Sequence, residues 1–247
     1  MTIDLNADVG EGNDDLAIFP LVTSVSIACG AHAGDEATMD RSIREAARLG
    51  VVVGAHPGYP DREGKGRRSL AASPAELHAS LLEQIRTLAR ICVRQGVPLA
   101  HVKPHGALYN QAADDPALAD VVANAVKAAD PTLRLVGLAG SALLAAASDA
   151  GLSVAAEAFA DRRYLATGRL ASRDHPDALI VDPAEAARQA VALATGQEIG
   201  TLDGDRLKVR AETICVHADT PGAVDIARAV RLSLEEAGVQ VAALHAG

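Results

Sequence analysis

The 247-residue chain contains no Trp, two Phe and three Tyr. Its core must therefore be built from Ala, Val and Leu, with stability spread over many small contacts rather than a few aromatic anchors. Cysteine is equally sparse. Cys29, Cys92 and Cys215 are an odd, widely spaced set without a Cys-x-x-Cys pair, which argues against a disulfide framework or a cysteine-zinc site and points to a reducing compartment. Positive charge is in deficit, with a formal net charge of −9, and nucleic acid is not an expected partner. No apolar run approaches the ~18 residues of a membrane span, and no cationic leader with an apolar core precedes the first strand-like run. No membrane association and a cytoplasmic location are the expectation. Two catalytic signatures are also missing. There is no Gly-x-Ser-x-Gly elbow, and Gly64-Lys65-Gly66 lacks the spacing and the Ser or Thr of a Walker loop. Any nucleotide chemistry is unconventional or belongs to another chain.

What is present is a regular alternation of strand-like and helix-like runs. Strand centres fall at Ile3, Ile27, Val52, Val102, Val136, Val154 and Val216. Helical runs are expected over Glu36–Leu49, Pro74–Gln95, Pro116–Ala129, Ser141–Ala150, Pro183–Thr195 and Pro221–Ala237. Four of these open on a Pro behind Ser73, Asp115, Asp182 or Thr220 as N-cap, and Gly50, Gly96, Gly151, Gly196 and Gly238 stand where helices should stop. Such alternation implies an α/β fold with a parallel sheet and right-handed crossovers. An open doubly wound sheet and a closed barrel both fit, and the barrel is favoured because polar residues leave nearly every strand rather than one switch point. A single domain over residues 1–247 is expected. Its long loops lie near 57–73 and 160–180, with a short hairpin near 197–210.

The strand exits carry the chemistry. Alternation along Asp4-Leu5-Asn6-Ala7-Asp8 puts Asp4, Asn6 and Asp8 on one side; Asp4 suits a hydrogen-bonded layer near the barrel bottom and Asp8 suits function. Asp8, His32 and His56 together make a chemically sound set for a divalent metal, and hydrogen-bonding or acid-base histidines are the metal-free alternative. Asp35 is the natural cap of the following helix. Lys103, next to Pro104 and His105, lies in a buried strand, where an ammonium must be paired or used. Glu157 ends another strand as a candidate general base, ahead of Arg162 and Arg163, a candidate anion clamp. His217-x-Asp219 suggests a carboxylate-oriented histidine, or else a helix cap at Asp219.

These segments resemble the LamB/YcsF family. The matching stretches are Asp4 to Gly12, Ile27 to Asp35, Gly54 to Pro57, Val102 to Asn110, Glu157 to Tyr164 and Ile214 to Asp219, in family order along essentially the whole chain. The departures, Ala31, Lys65 and Ala218, fall beside the polar positions. The resemblance implies a seven-stranded, distorted TIM-like (β/α) barrel of the glycoside hydrolase/deacetylase type. It also implies ATP-coupled hydrolysis of the cyclic amide 5-oxo-L-proline to L-glutamate, with ATP as co-substrate and two partner subunits, B and C. In that reaction Glu157 or Asp8 would activate water, and Lys103 with His105 would stabilise the oxyanion or phosphate. His217 would protonate the leaving nitrogen, while Asn6, Arg67 and Arg162 would hold the substrate. The alternative is a stand-alone metal-dependent deacetylase or amidohydrolase using Asp8, His32 and His56, and a third reading is a subunit that only binds.

Overall fold

The computed structural model describes residues 1–12 and 15–244. Seven parallel strands close into a barrel: β1 (Thr2–Val9), β2 (Ser24–Ala28), β3 (Val52–His56), β4 (Leu99–Val102), β5 (Arg134–Leu138), β6 (Val154–Phe159) and, after a detour, β9 (Thr213–Cys215). The ring closes where Thr213 of β9 stands opposite both Glu157 of β6 and Asp4 of β1. The detour is a small antiparallel hairpin, β7 (Glu198–Gly200) and β8 (Arg206–Lys208), and a last strand, β10 (Gln240–Val241), pairs with the first residues of β1. The expected closed barrel is thus observed.

Seven α-helices are assigned among the described residues: α1 (Glu36–Leu49), α2 (Pro74–Gln95), α3 (Gly106–Ala112), α4 (Pro116–Ala129), α5 (Ala142–Asp149), α6 (Pro183–Thr195) and α7 (Ala223–Glu236). The longest, α2, shows how local sequence sets their ends. Ser73 accepts from the Glu76 N–H while Glu76 reaches back to the Ser73 N–H, and Gly96 closes the helix at φ +68°; each half of that reciprocal cap satisfies a donor the helix cannot. Leu77, Leu81, Ile85, Leu88 and Cys92 recur at helical spacing and are buried against the barrel. Each apolar side chain of this kind contributes about 1.5–3 kcal/mol on burial. None of the described helices is long and apolar enough to cross a membrane.

The barrel interior is polar in layers. At the bottom, Asp4 accepts from the hydroxyls of Thr23 (2.8 Å), Ser24 (2.8 Å) and Thr213 (2.5 Å), which answers the cost of placing a carboxyl there. Above it, His101 lies 3.2 Å from Ser26 Oγ and fills the space left by Gly54, where a Cβ would stand 2.0 Å from the imidazole Nε2.

Candidate active site

Lys103 is the centre of the upper layer. β4 ends at Val102, yet the Lys103 N–H donates to the Ala55 carbonyl (2.9 Å) and the His105 N–H to that of Pro57 (2.8 Å). Pro104, which has no N–H, falls between these two bonds, so its presence costs the ladder nothing on this edge. The lysine is 2% exposed. Its Nζ lies 2.9 Å from Asp8 Oδ1, 2.7 Å from Glu157 Oε1, 3.2 Å from Cys215 Sγ and 3.4 Å from Asn6 Oδ1, with the Phe159 ring centroid 5.3 Å away. Burial disfavours the ammonium, but Asp8, Cys215 and Glu157 outweigh it and hold Lys103 well above the ordinary lysine value. Glu157 also accepts from Asn6 Nδ2 (3.0 Å) and from the Tyr109 hydroxyl (2.7 Å). Burial nevertheless raises the Glu157 carboxyl, whereas at Asp8 burial is overcome by His56, Lys103 and His217 and the group is lowered. Of the two carboxylates on one lysine, Asp8 is the firmly ionised one.

A histidine cluster adjoins Asp8. His56 Nε2 lies 3.5 Å from Asp8 Oδ2, 3.6 Å from Glu11 Oε1 and 2.9 Å from His105 Nδ1. His32 stacks on His105 with ring centroids 3.9 Å apart, and its Nε2 is 3.5 Å from the same Glu11 oxygen. Burial pushes His56 down to about 3 and also lowers His32; at His105 burial is outweighed by Glu11 and the ring is raised.

His217, close to Asp8 and Cys215, is held by Asp161, which is fully buried and accepts from His217 Nδ1 (3.0 Å), the His217 N–H (3.1 Å) and the Thr220 hydroxyl (2.6 Å). The Phe159 ring stacks on His217 at 5.1 Å. With Nδ1 committed to Asp161, the imidazole has Nε2 left for chemistry. Asp8, Glu11, His56, Lys103, His105, Tyr109, Phe159 and His217 all line one cavity of about 610 Å³ at the carboxyl ends of the strands. Its outer wall carries Arg67, Arg162, Arg169 and Arg173.

The sequence profile of the LamB/YcsF family matches residues 3–247. This chain belongs to the LamB/YcsF family. Among its relatives, a 5-oxoprolinase A-type subunit from Chloroflexus aggregans is 51% identical over 98% of each chain. Another protein of that name, from Thermus thermophilus, is 49% identical over 98% of this chain and 100% of its own length. The crystal structure of a lactam utilization protein, also from Thermus thermophilus, superposes with a TM-score of 0.93 at 48% identity, covering 99% of this chain and 100% of that one. A family 4 carbohydrate esterase from Streptomyces lividans aligns at 12% identity with a TM-score of 0.53 over 99% of this chain and 93% of its own; that likeness concerns the fold alone.

In this LamB/YcsF barrel the strand-end residues separate into layers that the sequence does not reveal. Asp8, His56, Lys103, His105 and His217 reach the cavity, while Glu157 and Asn6 lie beneath Lys103. His32 sits behind His105 rather than beside Asp8. The tightest groups of ligand-type atoms among the described residues are Glu11–His56–His105 and Asp8–Cys215–His217, neither of which is the Asp8–His32–His56 set. Lys103 is already the cation within the second group. Arg162 gives Nη2 to the Ala171 carbonyl (2.6 Å), and burial together with Arg173 pushes its guanidinium down to about 10. Arg67 and Arg173 are both bound to Asp219, so Asp219 neither orients His217 nor caps α7. Asp35 caps α1 by accepting from the Thr38 N–H (2.8 Å).

Three contributors went unrecognised in the sequence. Glu11 follows the end of β1 between two glycines with positive φ, Gly10 (+81°) and Gly12 (+94°); that glycine-flanked bend, which turns its carboxylate in among the histidines, is the available signal. Tyr109 arrives on α3, a helix of seven residues. Asp161 lies 56 residues from His217, and no sequence spacing joins them.

Proposed function

We propose that this chain is the ring-opening subunit of an ATP-dependent 5-oxoprolinase, working with partner subunits B and C to convert 5-oxo-L-proline to L-glutamate. The observation that carries this reading is Lys103, buried between Asp8 and Glu157 on the floor of a cavity in which an Asp161-oriented histidine stands close to Asp8. Hydrolysis of a lactam adds water to the ring carbonyl carbon, breaks the ring C–N bond and delivers a proton to nitrogen. Asp8, ionised and facing the cavity, takes the proton from water. The Lys103 ammonium stabilises the oxygen that gains negative charge, as a preorganised cation in a water-poor site can. His217 Nε2 supplies the proton to the departing nitrogen, with Asp161 stabilising the imidazolium. Glu157, beneath the lysine, holds Lys103 and Tyr109 in place. Arg162 and Arg173 receive the substrate carboxylate.

An amide resists hydrolysis, and in this reading ATP offsets that resistance by phosphorylating the amide oxygen and releasing ADP; opening of the ring by water then leaves a γ-glutamyl phosphate, which a second water splits to glutamate and inorganic phosphate. The chain lacks a Walker loop, so that step is assigned to the partners, and a cytoplasmic location belongs to the same reading. The test is reconstitution of the chain with subunits B and C, 5-oxoproline and ATP. Lys103→Ala should abolish glutamate release while the complex still assembles; near-normal turnover sinks the assignment. The Glu11–His56–His105 grouping favours a second reading, a metal-dependent amidohydrolase acting alone. ATP-independent hydrolysis of 5-oxoproline by the isolated chain, lost on chelation, would replace the first reading with this one.

A further inference from the structure

Two imidazoles in the cavity face each other, His56 Nε2 toward His105 Nδ1. His56 Nδ1 is 2.7 Å from the Lys103 carbonyl oxygen, and His105 Nε2 is 2.8 Å from that of Lys65. A carbonyl oxygen only accepts, so these two nitrogens are the protonated ones in the neutral rings. The remaining pair, His56 Nε2 and His105 Nδ1, are then bare, yet they stand 2.9 Å apart. Lone pairs at that distance repel unless a proton or a metal ion bridges them. Glu11 Oε1 completes the triangle at 2.9 Å from His105 Nδ1 and 3.6 Å from His56 Nε2. A further observation points the same way. His32 is 1% exposed, neither of its ring nitrogens has a hydrogen-bond partner among the described residues, and its Nε2 lies 3.5 Å from Glu11 Oε1.

We propose that Glu11, His56 and His105 form a binding site for a divalent transition metal of the zinc class, with His32 stacked behind His105 and cavity water completing the shell. Two neutral imidazoles and a carboxylate are the donors such ions take. Metal-bound histidines also usually give their other N–H to a carbonyl or carboxylate, as both do here. Arms of 2.0–2.1 Å in a tetrahedron put ligand atoms about 3.3 Å apart, and the three separations here bracket that value. A proton on His105 Nδ1, which has both Glu11 Oε1 and His56 Nε2 at 2.9 Å, is the competing occupant of this triangle, and metal titration separates the two. The inference does not depend on the lactam reading, because binding is measured on the chain alone.

The full-length chain is stripped with a chelator, dialysed and titrated with ZnCl₂ by calorimetry, and Co²⁺ loading is followed by visible absorption. One equivalent of Zn²⁺ should bind and raise the melting temperature. Glu11→Gln and His105→Ala should each weaken binding by about 100-fold or more, whereas His217→Ala, outside the set, should bind as the parent does. If His105→Ala does not fold, Glu11→Gln carries the comparison. Absence of stoichiometric binding by the parent overturns the site. So does binding unchanged in both Glu11→Gln and His105→Ala, or lost equally in His217→Ala.

Discussion

Asp161 holds His217 by two atoms, accepting from the ring Nδ1 at 3.0 Å and from the backbone N–H at 3.1 Å. Ring and main chain are thereby fixed to one carboxylate, and the imidazole cannot rotate without breaking the first bond. Asp161→Asn should leave substrate affinity near the parent value and lower kcat by about 100-fold or more, since a misoriented or wrongly protonated ring loses its acid-base contribution. Steady-state kinetics of the reconstituted complex separate the two parameters. A change confined to KM would make Asp161 part of substrate binding instead.

The same carboxylate should leave a mark on acid stability. Burial alone would raise Asp161, but His217 and Thr220 overcome it and hold the group below its ordinary value. A carboxyl lowered in the folded state binds fewer protons there than in the unfolded chain. Its stabilisation is therefore complete above the unfolded pKa and is lost as pH falls through the folded one. The stability gap between the parent and Asp161→Asn should be constant above about pH 5 and shrink below about pH 4. Urea unfolding at a series of pH values measures this, and a gap that widens in acid contradicts it.

Lys103 offers a comparison of two truncations. Lys103→Ala leaves Asp8 and Glu157 buried without their cation, and breaking a buried pair in this way costs about 3–5 kcal/mol. Lys103→Met keeps most of the side-chain volume, so it should lose activity equally yet retain more stability than Lys103→Ala. Equal unfolding midpoints for the two variants would mean that lost charge, not lost volume, sets the whole cost.

Gly54 is a steric requirement. A methyl group there meets His101 head-on, with the imidazole Nε2 2.0 Å from the Cβ position, and His101 is itself buried beside Ser26. Gly54→Ala should destabilise by about 1–3 kcal/mol through overpacking. Adding His101→Ala should recover part of that loss in a double-mutant comparison. Simple additivity of the two would show that they do not collide.

Much of the scaffold was legible because its helices carry their own punctuation. Glu36–Leu49, Pro74–Gln95, Pro116–Ala129 and Pro183–Thr195 start and stop where cap residues say they should. α7 begins at Ala223 rather than Pro221 because the Thr220 hydroxyl is committed to Asp161, and Gly222 at φ +76° stands at the N-cap instead. α3 escaped notice because seven residues contain too little periodicity to register. In the site, polar residues at the ends of apolar runs announced themselves one by one. Their pairings did not, since whether Asp161 or Asp219 meets His217, and whether Glu11 or Asp8 meets His105, depends on how separate loops fold over the barrel mouth.

Asp219 shows one such arrangement. It is shared between Arg67 of the loop after β3 and Arg173 of the loop after β6, and all three residues border the cavity. The two loops are therefore buttoned together by one negative group between two positive ones. Two positive groups share one negative one, so the doorway keeps an unmatched positive charge that a molecule bearing its own carboxylate can answer at Arg173; an uncharged visitor has no such hold.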